Sequence, residues 1–211
     1  MKTIYLKSVD STQIYLKNLI KTKKIQPPCA VVADMQNSGM GSRGNNWKSI
    51  DGNLFLSFAI SLDKLPKDLK LESASIYFAY LLKESLNELG SKIWLKWPND
   101  FYINDLKIGG MITNIVGNVL ICGVGLNLLD APNGFGVLDI KVSREMVLEK
   151  YLQKIKKNIS WKQVFSKYKL EFYQNHKFFT HINDLKFSLS EAVLKHDGSI
   201  LCNGERIYSL R

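Results

Sequence analysis

Apolar positions recur along the chain in two rhythms. The runs CAVVADM (29–35) and NLFLSFAIS (53–61) are nearly continuous, as in strands buried on both faces. In DSTQIYLKNLIKTKK, Ile14, Leu16, Leu19 and Ile20 supply an apolar side, and Asp10, Ser11 or Thr12 can cap the start. This predicts a first helix, ended by QPPC. LESASIYFAYLLKESLNELG is apolar nearly all round and predicts a central helix with Gly90 as its stop. Four short runs follow in close order: KIWLKW, DFYIN, KIGGMITNI and VLICGVGLNLL, with a tight turn at IND. They predict an antiparallel meander with a helix packed on it, an α+β fold. After DAPNGFGVLD come helices at about 143–158 and 161–175. From about residue 180 the pattern turns to short strands, with turns at Asp197-Gly198 and Asn203-Gly204. The division expected is a main domain over 1–178 and a small β appendage over 179–211, without repeats or low-complexity segments.

Composition narrows the class. With 211 residues and 45% hydrophobic positions, a sizeable core can form. No apolar run reaches the roughly 18 residues of a membrane span, and MKTIYLKSVDSTQ lacks the apolar region of a secretory signal. A soluble, cytoplasmic protein without membrane partners is expected. Cys29, Cys122 and Cys202 stand far apart in apolar runs, which predicts buried thiols rather than a zinc site. The net charge of +10 comes from dispersed lysines. No helix-turn-helix, zinc-finger or aromatic RNA-binding pattern accompanies it. The charge is read as attracting anionic small molecules or an acidic protein partner.

Three stretches depart from core patterning. QNSGMGSRGNNWKS (36–49) sets glycines, Arg43 and Trp47 between two core strands; such loops let backbone N–H groups approach carboxylates or phosphates. It is neither a P-loop nor a dinucleotide fingerprint. LKWPNDFYINDLKIGGMI (95–112) places Lys96 in an apolar strand, with Asp100 as the nearby carboxylate, and Lys107 before the pair Gly109-Gly110. Glycines inside a strand mark close approach of a ligand or backbone. ICGVGLNLL punctuates a third strand with Gly123, Gly125 and Asn127. There is no nucleophile elbow, paired-carboxylate motif or metal cluster, and His176, His181 and His196 lie outside these stretches. Cationic groups without a nucleophile suit phosphate and acyl-phosphate chemistry, where catalysis is positioning and electrostatic stabilisation.

Taken in order, the motifs resemble those of biotin protein ligases, also called biotin–[acetyl-CoA-carboxylase] ligases. DSTQIYL resembles that family's Ser-Thr-Asn helix start, with Gln13 for Asn. QNSGMGSRGNNWKS resembles its glycine- and arginine-rich biotin loop, KWPND its motif without change, KIGGMI its Lys-x-x-Gly element, and CGVGLNL its Gly-x-Gly-x-Asn strand. DGSILCNGERIYSLR resembles the end of its C-terminal domain. The resemblance implies a catalytic domain of the class II aminoacyl-tRNA synthetase kind plus an SH3-like C-terminal domain. It implies ATP-dependent activation of biotin to biotinyl-5'-AMP with Mg²⁺, then transfer to a lysine of a biotin carboxyl carrier protein.

By the same resemblance, Lys107, Arg43 and Asp100 are the catalytic candidates. Lys107 and Arg43 would stabilise charge in the transfer; Asp100 would orient the acceptor lysine or take its proton. Biotin would be bound by Ser11, Thr12, Gln13, Gln36, Gly39, Met40, Gly41, Ser42, Lys107, Gly109 and Gly110. ATP and the adenylate would meet Arg43, Trp47, Lys96, Asn99, Lys107 and Asn127, and Mg²⁺ would come with ATP, without protein ligands. The loop is expected to be disordered until ligand orders it. Met40, Ser42 and Asn45 replace arginines often found in the loop, and Asn114 stands where the family often has Glu. No segment precedes the catalytic domain, so a monofunctional ligase without specific DNA binding is expected, as a monomer or weak homodimer. The rivals are a lipoate–protein ligase-like enzyme, a non-catalytic basic nucleic-acid-binding module, and an inactive relative that only binds biotin.

Overall fold

The computed structural model describes residues 1–42, 45–182 and 185–209. A seven-stranded mixed sheet forms its centre. In chain order its strands are β1 (Lys2–Val9), β2 (Cys29–Gln36), β5 (Leu54–Ser61), β6 (Trp94–Lys96), β7 (Asp100–Ile103), β8 (Leu106–Val116) and β9 (Val119–Leu126). The spatial order is β1-β2-β5-β9-β8-β7-β6. β1 runs parallel to β2, and every other neighbouring pair is antiparallel. The expected meander is β6 to β9, turning at Asn104 in the left-handed region (φ 49°). The continuous apolar runs are β2 and β5, interior strands covered on both faces. β1 was not foreseen: it is an edge strand, and Tyr5 between its half-buried Ile4 and Leu6 is 65% exposed.

Helix α1 (Thr12–Lys21) packs Leu16 and Ile20 against Val31, Ala59 and Ile121 on one face of the sheet. The other face is covered by α2 (Ala74–Asn87), α3 (Arg144–Lys156) and α4 (Trp161–Glu171). α2 is the central helix expected, and Gly90 follows it with φ 98°. Phe58 of β5 meets Phe78 of α2 and Tyr151 of α3 edge-on, at 5.2 and 5.7 Å between ring centres. α2 also buries Lys83, which is tolerable because both Glu171 oxygens accept from it at 2.8 and 2.7 Å.

The short strands β10 (Phe179–Ile182), β11 (Leu185–Ser188), β12 (Val193–Leu194), β13 (Ile200–Cys202) and β14 (Glu205–Ile207) form a two-stranded and a three-stranded sheet. Asn203 and Gly204, both at positive φ, make the two-residue turn between β13 and β14. Leu189, Leu194, Ile200 and Ile207 join the same hydrophobic cluster as α2 and the large sheet. Among the described residues, no helix is long and apolar enough to cross a membrane.

Candidate active site

α1 covers β2, β5 and β9 but leaves the neighbouring part of the same sheet face bare. A cleft opens there, beside the N-terminus of α1. Its floor includes Gly110 of β8 and Gly123 and Gly125 of β9, where a side chain would have stood up from the sheet. A Cβ on Gly125 would lie 2.6 Å from the Trp47 ring, and one on Gly123 would lie 2.6 Å from Gln13 Oε1.

One end of the cleft is polar and neutral. Ser11 caps α1 with an extended backbone. Gln36, at the end of β2, accepts from the Thr12 backbone N–H at 2.8 Å and from its hydroxyl at 3.1 Å. The Thr12 hydroxyl also lies 2.9 Å from that of Ser57 on β5, a buried residue missed in the sequence, where its sign was a polar position inside an apolar run. Gln13 reaches inward from α1, donating to Asn114 Oδ1 and to the Ile121 carbonyl, each at 3.2 Å.

The opposite end is cationic. Trp97, Pro98 and Asn99 turn the β6–β7 hairpin, and its register sets Lys96 across from Asp100. Asp100 takes two lysines: Lys107 Nζ at 2.7 Å from Oδ1 and Lys96 Nζ at 3.7 Å from Oδ2. Lys96 is only 8% exposed, and its ammonium lies 5.7 Å from the centre of the Tyr102 ring. Burial, aided by the Asp100 charge, pushes the Tyr102 phenol up to about 12, so it stays protonated at neutral pH. Two ammonium groups against one carboxylate leave this end with a local positive charge.

Between the ends lies the glycine-rich stretch. Its described part forms a hairpin of β3 (Gly39–Met40) and β4 (Asn46–Trp47), with Gly39 opposite Trp47. Gly39 permits that approach, since a Cβ there would lie 2.6 Å from the Trp47 carbonyl oxygen. Met40, Gly41, Ser42 and Trp47 face the cleft, and the indole lies against Gly125. Arg43, the expected loop cation, and Gly44 lie outside the described residues.

The structure therefore brings Ser11, Thr12, Gln13, Gln36, Met40, Gly41, Ser42, Trp47, Asn99, Asp100, Lys107 and Gly110 to one cleft. Gly109 faces away from it: a Cβ there would meet the Gly125 carbonyl, Leu126 and Phe101. A register shift in the β7–β8 pairing puts Lys107 opposite Tyr102 but Gly109 opposite Phe101. The bulge breaks simple alternation, so Lys107 and Gly110 share the cleft face. Asn127 stands behind the site. It donates from its backbone to Ile108 and from its amide to Gly136, whose N–H in turn binds the Lys107 carbonyl. Gln13 Oε1, Trp47 Nε1 and Asn99 Oδ1 on the cleft lining are buried without hydrogen-bond partners, as are Asn127 Oδ1 behind it, Ser49 Oγ, and Tyr168 Oη in the core. Such orphans are rare in folded proteins, and three on one cleft point to a ligand site.

Residues 5–128 match the model of the biotin/lipoate A/B protein ligase family. The chain belongs to this family. Family members similar to it include the bifunctional ligase/repressor BirA of Escherichia coli, 33% identical over 127 residues, which are 57% of this chain and 38% of that protein. The biotin–[acetyl-CoA-carboxylase] ligase of Paracoccus denitrificans is 31% identical over 117 residues, 51% of this chain and 47% of that one. The chain thus matches less than half the length of these curated relatives. Among solved structures, it is similar to the biotin acetyl coenzyme A carboxylase synthetase of Helicobacter pylori with bound biotinylated ATP. That match has a TM-score of 0.93 and 39% identity, covering 98% of this chain and 99% of that one. The biotin protein ligase of Aquifex aeolicus in complex with biotin and ATP gives a TM-score of 0.80 at 25% identity, covering 100% and 96%.

Proposed function

We propose that this protein is a biotin–protein ligase. It activates biotin with ATP to biotinyl-5'-AMP and transfers the biotinyl group to a lysine of a biotin carboxyl carrier protein. The observation that carries this reading is one cleft with a neutral hydrogen-bonding end and a cationic end, in a chain similar to a synthetase with bound biotinylated ATP.

The ring of biotin lies at the Ser11–Thr12–Gln36 end, and its valerate chain runs over the glycine floor to Lys107. There a biotin carboxylate oxygen attacks the α-phosphorus of ATP, and pyrophosphate leaves with the electrons of the broken P–O bond. Lys107 holds the carboxylate and offsets the charge that develops on the phosphoryl oxygens. Arg43 serves the same end from the loop, and Met40, Gly41 and Ser42 border the chain. Gly39 shapes their hairpin, whereas Gly109 acts from behind the floor by letting β8 and β9 pack closely. Lys96 and Asn99 hold the nucleotide end, and Asn127 positions Lys107 through the loop behind it. In the second step the acceptor lysine amine attacks the carbonyl carbon of the mixed anhydride and AMP leaves. Asp100, held in place by Lys96 and Lys107, orients the amine and takes its proton. Mg²⁺ would come with ATP and partly neutralise its phosphate charge. Trp47 leaves the floor to admit ligand and then covers the adenylate, keeping water from the anhydride.

The strands from residue 179 onward are read as an SH3-like C-terminal domain, and the protein as a cytoplasmic monomer or weak homodimer. Biotin-dependent exchange of pyrophosphate into ATP tests the proposal. Exchange that needs biotin and is lost in Lys107→Ala supports it; exchange driven by lipoate instead moves the assignment to the other branch of the family. No exchange with either acid, joined to steeply salt-dependent nucleic-acid binding, replaces it with a binding module.

A further inference from the structure

Asn53 stands just before β5 and is fully buried, and its side chain grips one distant segment. Oδ1 accepts from the backbone N–H groups of Leu128, Leu129 and Asp130 at 2.9, 3.1 and 3.5 Å. Nδ2 donates to the Asp130 carbonyl at 2.8 Å. Backbone N–H groups only donate and a carbonyl only accepts, so these partners allow the amide one orientation. A buried amide that meets four backbone groups fixes where the loop after β9 begins.

The loop so fixed reaches Lys107. Asn127, next to the gripped residues, donates from its backbone to the Ile108 carbonyl at 2.8 Å and from its amide to the Gly136 carbonyl at 3.1 Å. The Gly136 N–H donates to the Lys107 carbonyl at 2.9 Å. Two successive carbonyls of β8 are thus held from this loop, close to the register shift in the β7–β8 pairing, where the ladder is locally disrupted.

Building on the proposed function, we infer that Asn53 is a positioning residue for adenylation. It stands outside the cleft and acts through the loop at 127–136 on the backbone of Lys107. It thereby sets where the Lys107 ammonium stands relative to the carboxylate and the α-phosphate.

The test follows biotin-dependent pyrophosphate exchange in the full chain, in wild type, Asn53→Ser, Lys107→Ala and the double variant. Asn53→Ser is expected to lower kcat about 10- to 100-fold, with the biotin KM within about 3-fold of wild type. The neutral end of the cleft keeps its own bonds between α1 and β2. In the Lys107→Ala background the same change should cost nothing further, because residues that act through one group are not additive. Gly136→Ala leaves Asn53 intact but sets a methyl group 2.9 Å from Leu106 Cβ, and should repeat the kcat-selective loss. That variant decides where Asn53→Ser does not fold or exchange in Lys107→Ala is too slow to follow. An equal loss in both backgrounds, a loss confined to KM, or wild-type rates in Asn53→Ser or Gly136→Ala overturns the inference. Wild type that shows no exchange with biotin overturns the proposed function itself, and this inference with it.

Discussion

The indole N–H of Trp97 donates to the carbonyl oxygen of Gly198 at 2.9 Å. One residue of the KWPND turn is therefore fastened to the C-terminal strands. The Trp97 backbone N–H is also held, at 2.7 Å, by Asn175 Oδ1. Trp97→Phe leaves the Gly198 carbonyl without that donor and opens a void where the second ring of the buried indole stood. The expected loss is about 2–4 kcal/mol, read from urea unfolding, with adenylation impaired more than biotin binding. Unchanged stability would show that water replaces the indole.

The turn that receives Trp97 has its own electrostatic support. Burial pushes the Asp197 carboxyl up, but hydrogen bonds from Ser199 and Arg206 outweigh it and hold the group at about 2, against an ordinary 3.8. A carboxyl depressed on folding stabilises fully above its unfolded value and loses that contribution as pH falls through the folded one. Unfolding of wild type and Asp197→Asn should therefore differ by about 2 kcal/mol at neutral pH, and the gap should close between about pH 4 and 2. A pH-independent difference would mean that Asp197 acts through shape alone.

On the proposed function, Lys107 and Asp100 should separate the two half-reactions. Lys107→Ala is expected to lower biotin-dependent pyrophosphate exchange by at least about 10²-fold. Asp100→Asn should retain exchange to within about 10-fold while losing transfer to the carrier by about 10²-fold or more. Equal losses in both steps would assign Asp100 to adenylation.

Glu171→Gln leaves Lys83 buried with the Glu84 carboxylate, 3.6 Å away on α2, beside it. The expected cost is about 3 kcal/mol, measured by chemical denaturation, and replacing the pair by Met and Leu together should restore most of it. No recovery in the double variant would mean that the ion pair itself, rather than an uncompensated charge, carries the stability.

Gly125→Ala puts a methyl group where the Trp47 indole lies, with only 2.6 Å between the new carbon and the ring. The free variant should show altered Trp47 fluorescence, with Trp47→Phe as the control. Biotin-dependent exchange should fall through kcat more than through the biotin KM. A spectrum identical to wild type would show that the hairpin absorbs the methyl group elsewhere.

Much of this was legible in the sequence because single positions carried it. α2 announces itself by burying nearly every side, and the meander by four short runs with a turn at Asn104. KWPND reads as a corner that sets Lys96 near Asp100, and the pairing register does so. What escaped depends on relations between distant residues. β1 is an edge strand with Tyr5 exposed, so its alternation is too weak to read alone. The direction of Gly109 was lost to the bulge beside Phe101, which no local pattern displays. The partnership of Gln13 with Asn114 spans about half the chain.

The glycine floor has a consequence for how such a site can change. Met111–Val124 and Ile112–Gly123 are neighbours in the ladder that crosses it, and Gly110 pairs with Gly125. The floor's backbone is thus committed to the sheet, and it gives a bound molecule shape rather than polarity. The polar groups that would meet a ligand stand around the floor, on α1, the end of β2, the β3–β4 hairpin, the β6–β7 turn with Asp100, and the start of β8 with Lys107. On the proposed function, drift or engineering can therefore rewrite the choice of acid around the floor, residue by residue, while the sheet beneath stays intact.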